Sequence, residues 1–332
     1  MKEVLFIGYY YHIKTGSCEF ILKELTRYYK LTKVFIDIDK SNPYESIINL
    51  RNKHFDTLIC WQIFPNVELI NSSISFDKGI FFPMYDAVPS RRKIEKWWHI
   101  RNFQIICFSH KLHVELKRLG LSSRYIKYFP KPAQKLVFGD PNSAFFWYRH
   151  KSISYKDAEK ICEKLKISHL HIHYANDPGH EAALNNDSNH LNITTSKWFK
   201  SKDELCATLS KSAYFIAPRN KEGIGMAFLE AMAQGKCVVA KDNSTMNEYI
   251  KHNENGILYK KKITNLGFDL KNIQRKAFYT ITNGYQEWQT NKINIIKYIN
   301  EHPKNNKIRL YFMILIGILS NPLKVLRTIL KN

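Results

Sequence analysis

Tyr214-Phe215-Ile216-Ala217-Pro218, Glu222-Gly223-Ile224-Gly225-Met226, Leu229-Glu230-Ala231-Met232-Ala233, Gly235 and Val238-Val239-Ala240 read in that order as strand, loop, helix, glycine stop and strand. Gly223 and Gly225 allow backbone to approach a ligand closely, and the helix behind them offers unsatisfied N–H groups at its positive dipole end. That arrangement suits a diphosphate. Glu222 lies in the loop and Glu230 eight residues later. A continuous helix would separate them by ~12 Å. Paired glycosidase carboxylates stand roughly 5–9.5 Å apart, so these two glutamates are expected to serve different parts of one ligand.

Working outward, short apolar runs alternate with amphipathic segments along the whole chain. Strands are expected at Val4–Ile7, Lys33–Ile38, Thr57–Trp61, Gly79–Phe82 and Gln104–Phe108, with helices at Ser17–Tyr29 and Tyr44–Lys53. A second series carries strands at Ala144–Tyr148, His169–His173, Tyr214–Ala217 and Cys237–Ala240, with helices at Asp157–Leu165, Lys202–Ser210 and Met226–Gln234. Such alternation builds parallel sheets covered on both faces. Phe129-Pro130-Lys131-Pro132 is a stiff connector between the two series. The expectation is an α/β protein with two doubly wound, Rossmann-like domains, over residues 1–135 and 136–302, followed by a basic amphipathic tail at 303–332.

The 214–259 stretch resembles the signature of retaining glycosyltransferases of the GT-B fold, in particular family 4 (glycosyl transferases group 1). Their pattern runs Pro, Glu-Gly-x-Gly, then Leu-Glu-Ala-Met-Ala-x-Gly, and Asn247-Glu248-Tyr249-Ile250 and Asn255-Gly256-Ile257-Leu258 match it further. The resemblance implies two domains facing a cleft, a nucleotide-sugar donor on the C-terminal domain and an acceptor on the N-terminal one. Carried over by position, Glu222 contacts the donor sugar and Glu230 the ribose hydroxyls. Backbone N–H groups of Gly223, Ile224, Gly225 and Met226 meet the sugar and diphosphate. The family supplies an arginine and a lysine at the start of its C-terminal domain. Arg149, after Phe146-Trp147-Tyr148, matches the arginine; the usual lysine spacing is missing, leaving Lys151 and Lys156 as alternatives. Gly16, before Ser17, resembles the first glycine loop. Asp86, in Pro83-Met84-Tyr85-Asp86, sits where the family places a His or Asp near the sugar. No cofactor and no metal are implied, because cationic side chains and a helix terminus can neutralise the leaving phosphate.

Composition limits the alternatives. The chain has 332 residues, is 44% hydrophobic and carries 51 Lys+Arg against 29 Asp+Glu, a net charge of +22. A disordered chain is excluded by the hydrophobic fraction. The charge calls for anionic surroundings and does not choose among phosphorylated ligands, nucleic acid and acidic lipid. A nucleic-acid-binding protein is a rival reading, but the basic residues are dispersed and no nucleic-acid module is visible. Within the GT-B architecture, a sugar-nucleotide epimerase, a phosphorylase and a catalytically silent sugar-binding protein are further rivals. Six dispersed cysteines without a CxxC pair read as reduced cytoplasmic thiols. Val4–Ile7 is too short for a signal-peptide core, so the protein is expected to stay inside the cell.

Four local signals remain. Asp37-Ile38-Asp39 matches a metal-binding DxD, but here it ends a strand and is read as a turn and cap. His169, His171 and His173 share one strand face and are read as packing and hydrogen-bonding groups, with zinc as the alternative. Ile94, Trp97 and Trp98, among Arg91-Arg92-Lys93, are either a core stripe or a contact for anionic headgroups. Leu310–Leu323 is an uncharged run too short to span a bilayer, flanked by Lys324, Arg327 and Lys331. It is expected at an anionic membrane interface, the alternative being a helix packed on the N-terminal domain. Together these readings give a retaining glycosyltransferase at the inner face of the cytoplasmic membrane. Its acceptor would be a glycan or lipid-linked sugar in surface polysaccharide or lipopolysaccharide synthesis.

Overall fold

The structure, a computed structural model, describes residues 1–37, 40–41, 43–88, 91–180, 191–263 and 267–319. The chain divides into two compact units, Met1–Lys127 with Thr290–Asn332, and Tyr128–Gln289. Residues 128–135 therefore fall in the second unit. The chain returns to the first unit inside the long helix Leu270–Asn300.

The first unit is built on six parallel strands: β1 (Glu3–Tyr9), β2 (Lys30–Ile36), β3 (His54–Trp61), β4 (Ser75–Phe82), β5 (Phe103–Cys107) and β6 (Ser123–Tyr125), in the order β2-β1-β3-β4-β5-β6. The central strands bury nearly every side chain on both faces; Val4, Leu5 and Phe6 are fully inaccessible. That is why they read as continuous apolar runs rather than as alternation. The helix expected over Ser17–Tyr29 is instead two short helices, Tyr11–Thr15 and Glu19–Leu25. Gly16, at φ +62, closes the first of them in the left-handed region. The helix expected over Tyr44–Lys53 is a single turn, Glu45–Ile48, and the chain beyond it reaches a positive φ at Asn52.

The tail is part of this unit. Leu310 is inaccessible and Ile314 nearly so, both within the core formed by β1–β5 and their helices. Asn305 anchors the approach by donating to the carbonyls of Arg101 and Phe103 at 2.9 Å and by accepting from the Ser122 N–H. Trp97 is buried in the same core, with Ile94 and Trp98 packed against it, so the core-stripe reading holds for those three. The opposite face of the helix Lys307–Leu319 leaves Ile308, Tyr311, Phe312 and Ile316 more than half exposed. Residues 320–332, with Lys324, Arg327 and Lys331, lie outside the described residues.

The second unit holds β7 (Asp140–Trp147), β8 (His169–His173), β9 (Asn192–Ser196), β10 (Ser212–Ile216), β11 (Cys237–Lys241) and β12 (Ile257–Tyr259), all parallel, in the order β12-β11-β10-β7-β8-β9. The chain starts at β7, winds outward through β8 and β9, then returns to the other side of β7 at β10. The order therefore reverses between β7 and β10. In open α/β sheets, ligands bind outside the carboxyl ends of the strands at such a reversal.

Candidate active site

The loops that follow β7 and β10 carry the expected donor-side residues. Pro218 to Gly225 form the loop after β10, and the helix Met226–Ala233 starts directly behind it. This helix is apolar on nearly all sides, so it is held by burial of Phe228, Leu229, Ala231 and Met232 rather than by a polar cap. Its N-cap, Gly225, has φ +82 and no side-chain capping bond, and a Cβ there would stand 1.9 Å from Phe228 Cε1. Only glycine fits both the backbone angle and the space. Gly225 thus supplies no side-chain cap to the first-turn N–H groups.

Glu222 is buried, and its backbone is fixed by N–H donation to the Ser244 carbonyl at 3.1 Å and by Thr245 Oγ1 donating to its own carbonyl at 3.5 Å. It precedes the helix by four residues, and Gly225 interrupts helical geometry between them. The two glutamates are thus not on one continuous helix. Glu230 projects from the helix and lines an open pocket with Phe145, Trp147, Lys202, Phe215 and Ala227 among others. Its Oε1 accepts from Lys202 Nζ at 2.6 Å.

Arg149 follows β7 and donates from Nε to Asp177 Oδ1 at 2.7 Å, with its guanidinium 5.5 Å from the Trp147 ring centre. Asp177, in the loop after β8, also accepts from Arg219 Nη2, and Arg219 belongs to the Glu222 loop. Burial alone would raise the Asp177 pKa; the charges of Arg149 and Arg219 outweigh it and hold the carboxyl below its ordinary value. Asn220 N–H donates to Ser152 Oγ at 3.4 Å, tying the β7 and β10 loops together. Lys151 and Lys156 are both exposed, and the Lys151 N–H donates to His180 Nδ1 at 3.5 Å.

Gly16 and Asp86 belong to the first unit, Gly16 at the end of the short helix that follows β1 and Asp86 in the loop after β4. Asp86 is half-buried in the loop after Phe82, and the neighbouring Tyr85 ring lies 5.2 Å from Lys111 Nζ. One residue in this unit was not anticipated. His12 is buried, its Nδ1 accepts from the Tyr9 N–H at 3.2 Å, and its Nε2 lies 2.8 Å from Gln62 Oε1. It links the loops after β1 and β3, where this sheet reverses its order.

The histidines of β8 are satisfied by packing. His171 and His173 share Ser196 Oγ at 2.8 Å, and His173 stacks on Phe199 at 4.6 Å. Among the described residues, no three His, Cys, Asp or Glu side chains are grouped to hold a metal. Asp37 is described, whereas Ile38 and Asp39 lie outside the described residues. All six cysteines are free, and Cys206 alone of the six is not fully buried.

Residues 154–267 match the sequence profile of the family described as Glycosyl transferases group 1. The matched segment contains Glu222, the glycine loop and Glu230, and begins just after Arg149 and Lys151. Solved structures share the two-unit α/β architecture. A sucrose-phosphate synthase from Thermosynechococcus elongatus aligns with a TM-score of 0.62 at 10% identity, over 90% of this chain and 98% of its own. The lipopolysaccharide outer core galactosyltransferase WaaB in its apo form gives 0.51 at 13% identity, over 96% and 99%. TarM gives 0.50 at 15% identity over 74% of this chain, which spans only 55% of TarM. Identities this low establish the fold, which is GT-B. No curated protein matches the chain in sequence.

Proposed function

We propose that the protein is a retaining glycosyltransferase that moves a sugar from a nucleotide-sugar donor to a glycan or lipid-linked acceptor. The observation that carries this reading is the element from Glu222 to Glu230. A buried carboxylate, a glycine-shaped loop and a helix N-terminus without a side-chain cap stand at the strand-order reversal of the second unit, inside the segment that matches the family. The donor diphosphate lies against the N–H groups of Gly223–Met226 and the Arg149 guanidinium. Glu222 holds the sugar, and Glu230 accepts hydrogen bonds from the ribose beside the Trp147 pocket.

The chemistry follows from where charge grows. The bond between the anomeric carbon and the diphosphate oxygen breaks, and its electron pair stays on that oxygen. The acceptor hydroxyl oxygen forms the new bond to the anomeric carbon. With retention, the entering and leaving oxygens share one face, so the departing phosphate oxygen can take the hydroxyl proton. Fixed N–H dipoles and a guanidinium aimed at the leaving oxygen stabilise its developing charge without reorganisation. This reading needs no divalent metal. In the resemblance Gly16 approaches the donor phosphates and the acceptor, and Asp86 stands near the sugar; both keep those roles in this reading.

The second part of the reading places the enzyme at the cytoplasmic face of a membrane, in surface polysaccharide synthesis. It is supported by the net charge of +22 and by the apolar stripe Ile308, Tyr311, Phe312 and Ile316 on the solvent side of the tail helix. The contact proposed is interfacial, through that stripe; no helix among the described residues is long and apolar enough to cross a bilayer. Thermal shifts with UDP-, GDP-, ADP- and CMP-sugars, with and without EDTA, test the donor reading. Ligand stabilisation follows RT ln(1 + [L]/Kd), so the cognate base stands out. Indifference to every nucleotide-sugar contradicts the reading, and stabilisation abolished by EDTA contradicts its metal independence.

A further inference from the structure

We propose that Gln62, held by His12, donates a hydrogen bond from its side-chain amide to an oxygen of the acceptor sugar and so helps to decide which acceptor is used. The inference rests on the carbohydrate-acceptor reading above, and adds a residue that neither the sequence pattern nor the resemblance marks.

The sheet of the first unit sets the place. β1 has β2 on one side and β3 on the other, so the strand order reverses between β1 and β3. Ligands of open α/β sheets bind outside the carboxyl ends of the strands at such a point. Tyr9 ends β1, and Gln62 directly follows Trp61, the last residue of β3. Gln62 has φ +66, a left-handed angle that is uncommon for a residue with a side chain. Its N–H donates to the Phe82 carbonyl at 2.9 Å, and the Ile63 N–H donates back to the Trp61 carbonyl at 2.8 Å. The chain thus leaves the strand through a fixed, sparsely populated turn, the kind of backbone that clusters at ligand sites.

The amide is oriented by hydrogen bonds that have one consistent solution. His12 Nδ1 accepts from the Tyr9 N–H at 3.2 Å, so the ring proton is on Nε2. Nε2 therefore donates to Gln62 Oε1 at 2.8 Å. The N–H donors of the Gln62 amide are left pointing away from His12, and no hydrogen bond among the described residues takes them up. His12 is buried, whereas Gln62 is only half-buried, so a ligand can reach the amide but not the ring. The same loop carries Tyr9, Tyr10 and Tyr11; Tyr10 is exposed, and the Tyr9 and Tyr11 rings lie 6.4 Å apart. Aromatic rings beside a fixed polar donor suit a sugar, whose C–H faces pack on rings while its hydroxyls need directed partners. A neutral amide held by a neutral imidazole selects an uncharged oxygen, such as a hydroxyl, over a phosphate. Gln62 touches the acceptor; His12 is a positioning residue that acts through it.

The test uses the full chain, the nucleotide-sugar that stabilises it best, and the octyl glycosides of glucose, galactose, mannose and N-acetylglucosamine as acceptors. The monodeoxy forms of the best acceptor are then compared with their parent. With the unaltered protein, loss of one particular hydroxyl should lower the acceptor kcat/KM by about 3- to 10-fold, the scale of a single hydrogen bond. Gln62→Leu should lose a similar factor with the parent acceptor and nothing further with that deoxy form, because both changes remove the same bond. Gln62→Asn tolerates the positive φ and draws the amide back by one carbon, so it should do the same even if leucine disturbs the turn. The donor KM should not move in either variant. His12→Asn can keep an acceptor for the Tyr9 N–H but is too short to reach Gln62, and should lose part of the same factor. His12→Gln, which reaches Gln62 with an N–H donor, should restore most of it. If every deoxy penalty in the Gln62 variants equals that of the unaltered protein, the inference is overturned and the transfer reading stands. If the unaltered protein glycosylates none of the four glycosides, the acceptor reading fails and the inference fails with it.

Discussion

Lys202 Nζ lies 2.6 Å from Glu230 Oε1, so the carboxylate assigned to the donor ribose already holds one cation. Lys202 is 68% exposed, and such pairs are worth about 0–1 kcal/mol. Glu230 is therefore fixed in direction at little cost and keeps a second oxygen for the ribose. Lys202→Met should change the donor KM by no more than about fivefold, the ceiling that a surface ion pair sets. Glu230→Gln should raise it about tenfold or more, with kcat largely kept, because a bond to a charged acceptor is lost. Steady-state kinetics on both variants check the order of the two effects.

Glu222 is expected to behave differently. Its backbone is held by Ser244 and Thr245, so removal of the side chain leaves the loop in place. Glu222→Ala should fold normally and lose at least ~100-fold in kcat at saturating donor, the scale of a preorganised group at the reacting centre. Near-normal turnover would remove Glu222 from the reacting centre.

The central strands were legible because they are buried on both faces: β1 contains the expected Val4–Ile7, and β11 starts at Cys237 where the apolar run places it. The edge strands Ser123–Tyr125, Asn192–Ser196 and Ile257–Tyr259 were not, being short and, in the first two, half-exposed and polar. The helices Val67–Ser73 and His110–Arg118 were also missed, each starting at a side-chain cap, Asn66 and Ser109, that local patterning did not single out. At the site, the glycine loop and both glutamates announce themselves by spacing. Asp177 and Arg219 do not, because 42 residues separate partners that only the sheet order brings together. His12 escaped notice for the same reason, since Gln62 lies fifty residues away.

Burial lowers the His173 pKa to about 4, with His171 adding to the effect, and His171 is itself shifted down. At neutral pH both folded and unfolded chains hold His173 neutral, so nothing is lost. As pH falls below ~6.5 the unfolded chain takes up a proton that the folded chain refuses, and stability declines until about pH 4. The full effect of His173 is on the order of 3 kcal/mol. Urea unfolding between pH 7 and 4 should show this slope, and His173→Phe should flatten it. An unchanged slope would place the titration elsewhere.

The tail helix has two apolar faces with different duties, and point changes separate them. Truncation at residue 308 would remove Leu310 and Ile314 from the first unit's core and cost several kcal/mol, as deletion of buried aliphatic groups does. Ile308→Ser, Phe312→Ser and Ile316→Ser together touch only exposed side chains. The triple variant should keep its melting temperature within a few degrees and sediment less with anionic vesicles. Sedimentation equal to that of the unaltered chain would withdraw the membrane assignment.

The central claim is transfer of a sugar with retention, and proton NMR of the anomeric region during turnover tests it most directly. With the cognate nucleotide-sugar and a glycan or lipid-linked acceptor, the account predicts one new glycosidic linkage in the donor's own anomeric configuration. One nucleoside diphosphate should be released per bond formed, with or without EDTA. A product of inverted configuration, or conversion of the donor to an epimer with no linkage formed, would contradict it.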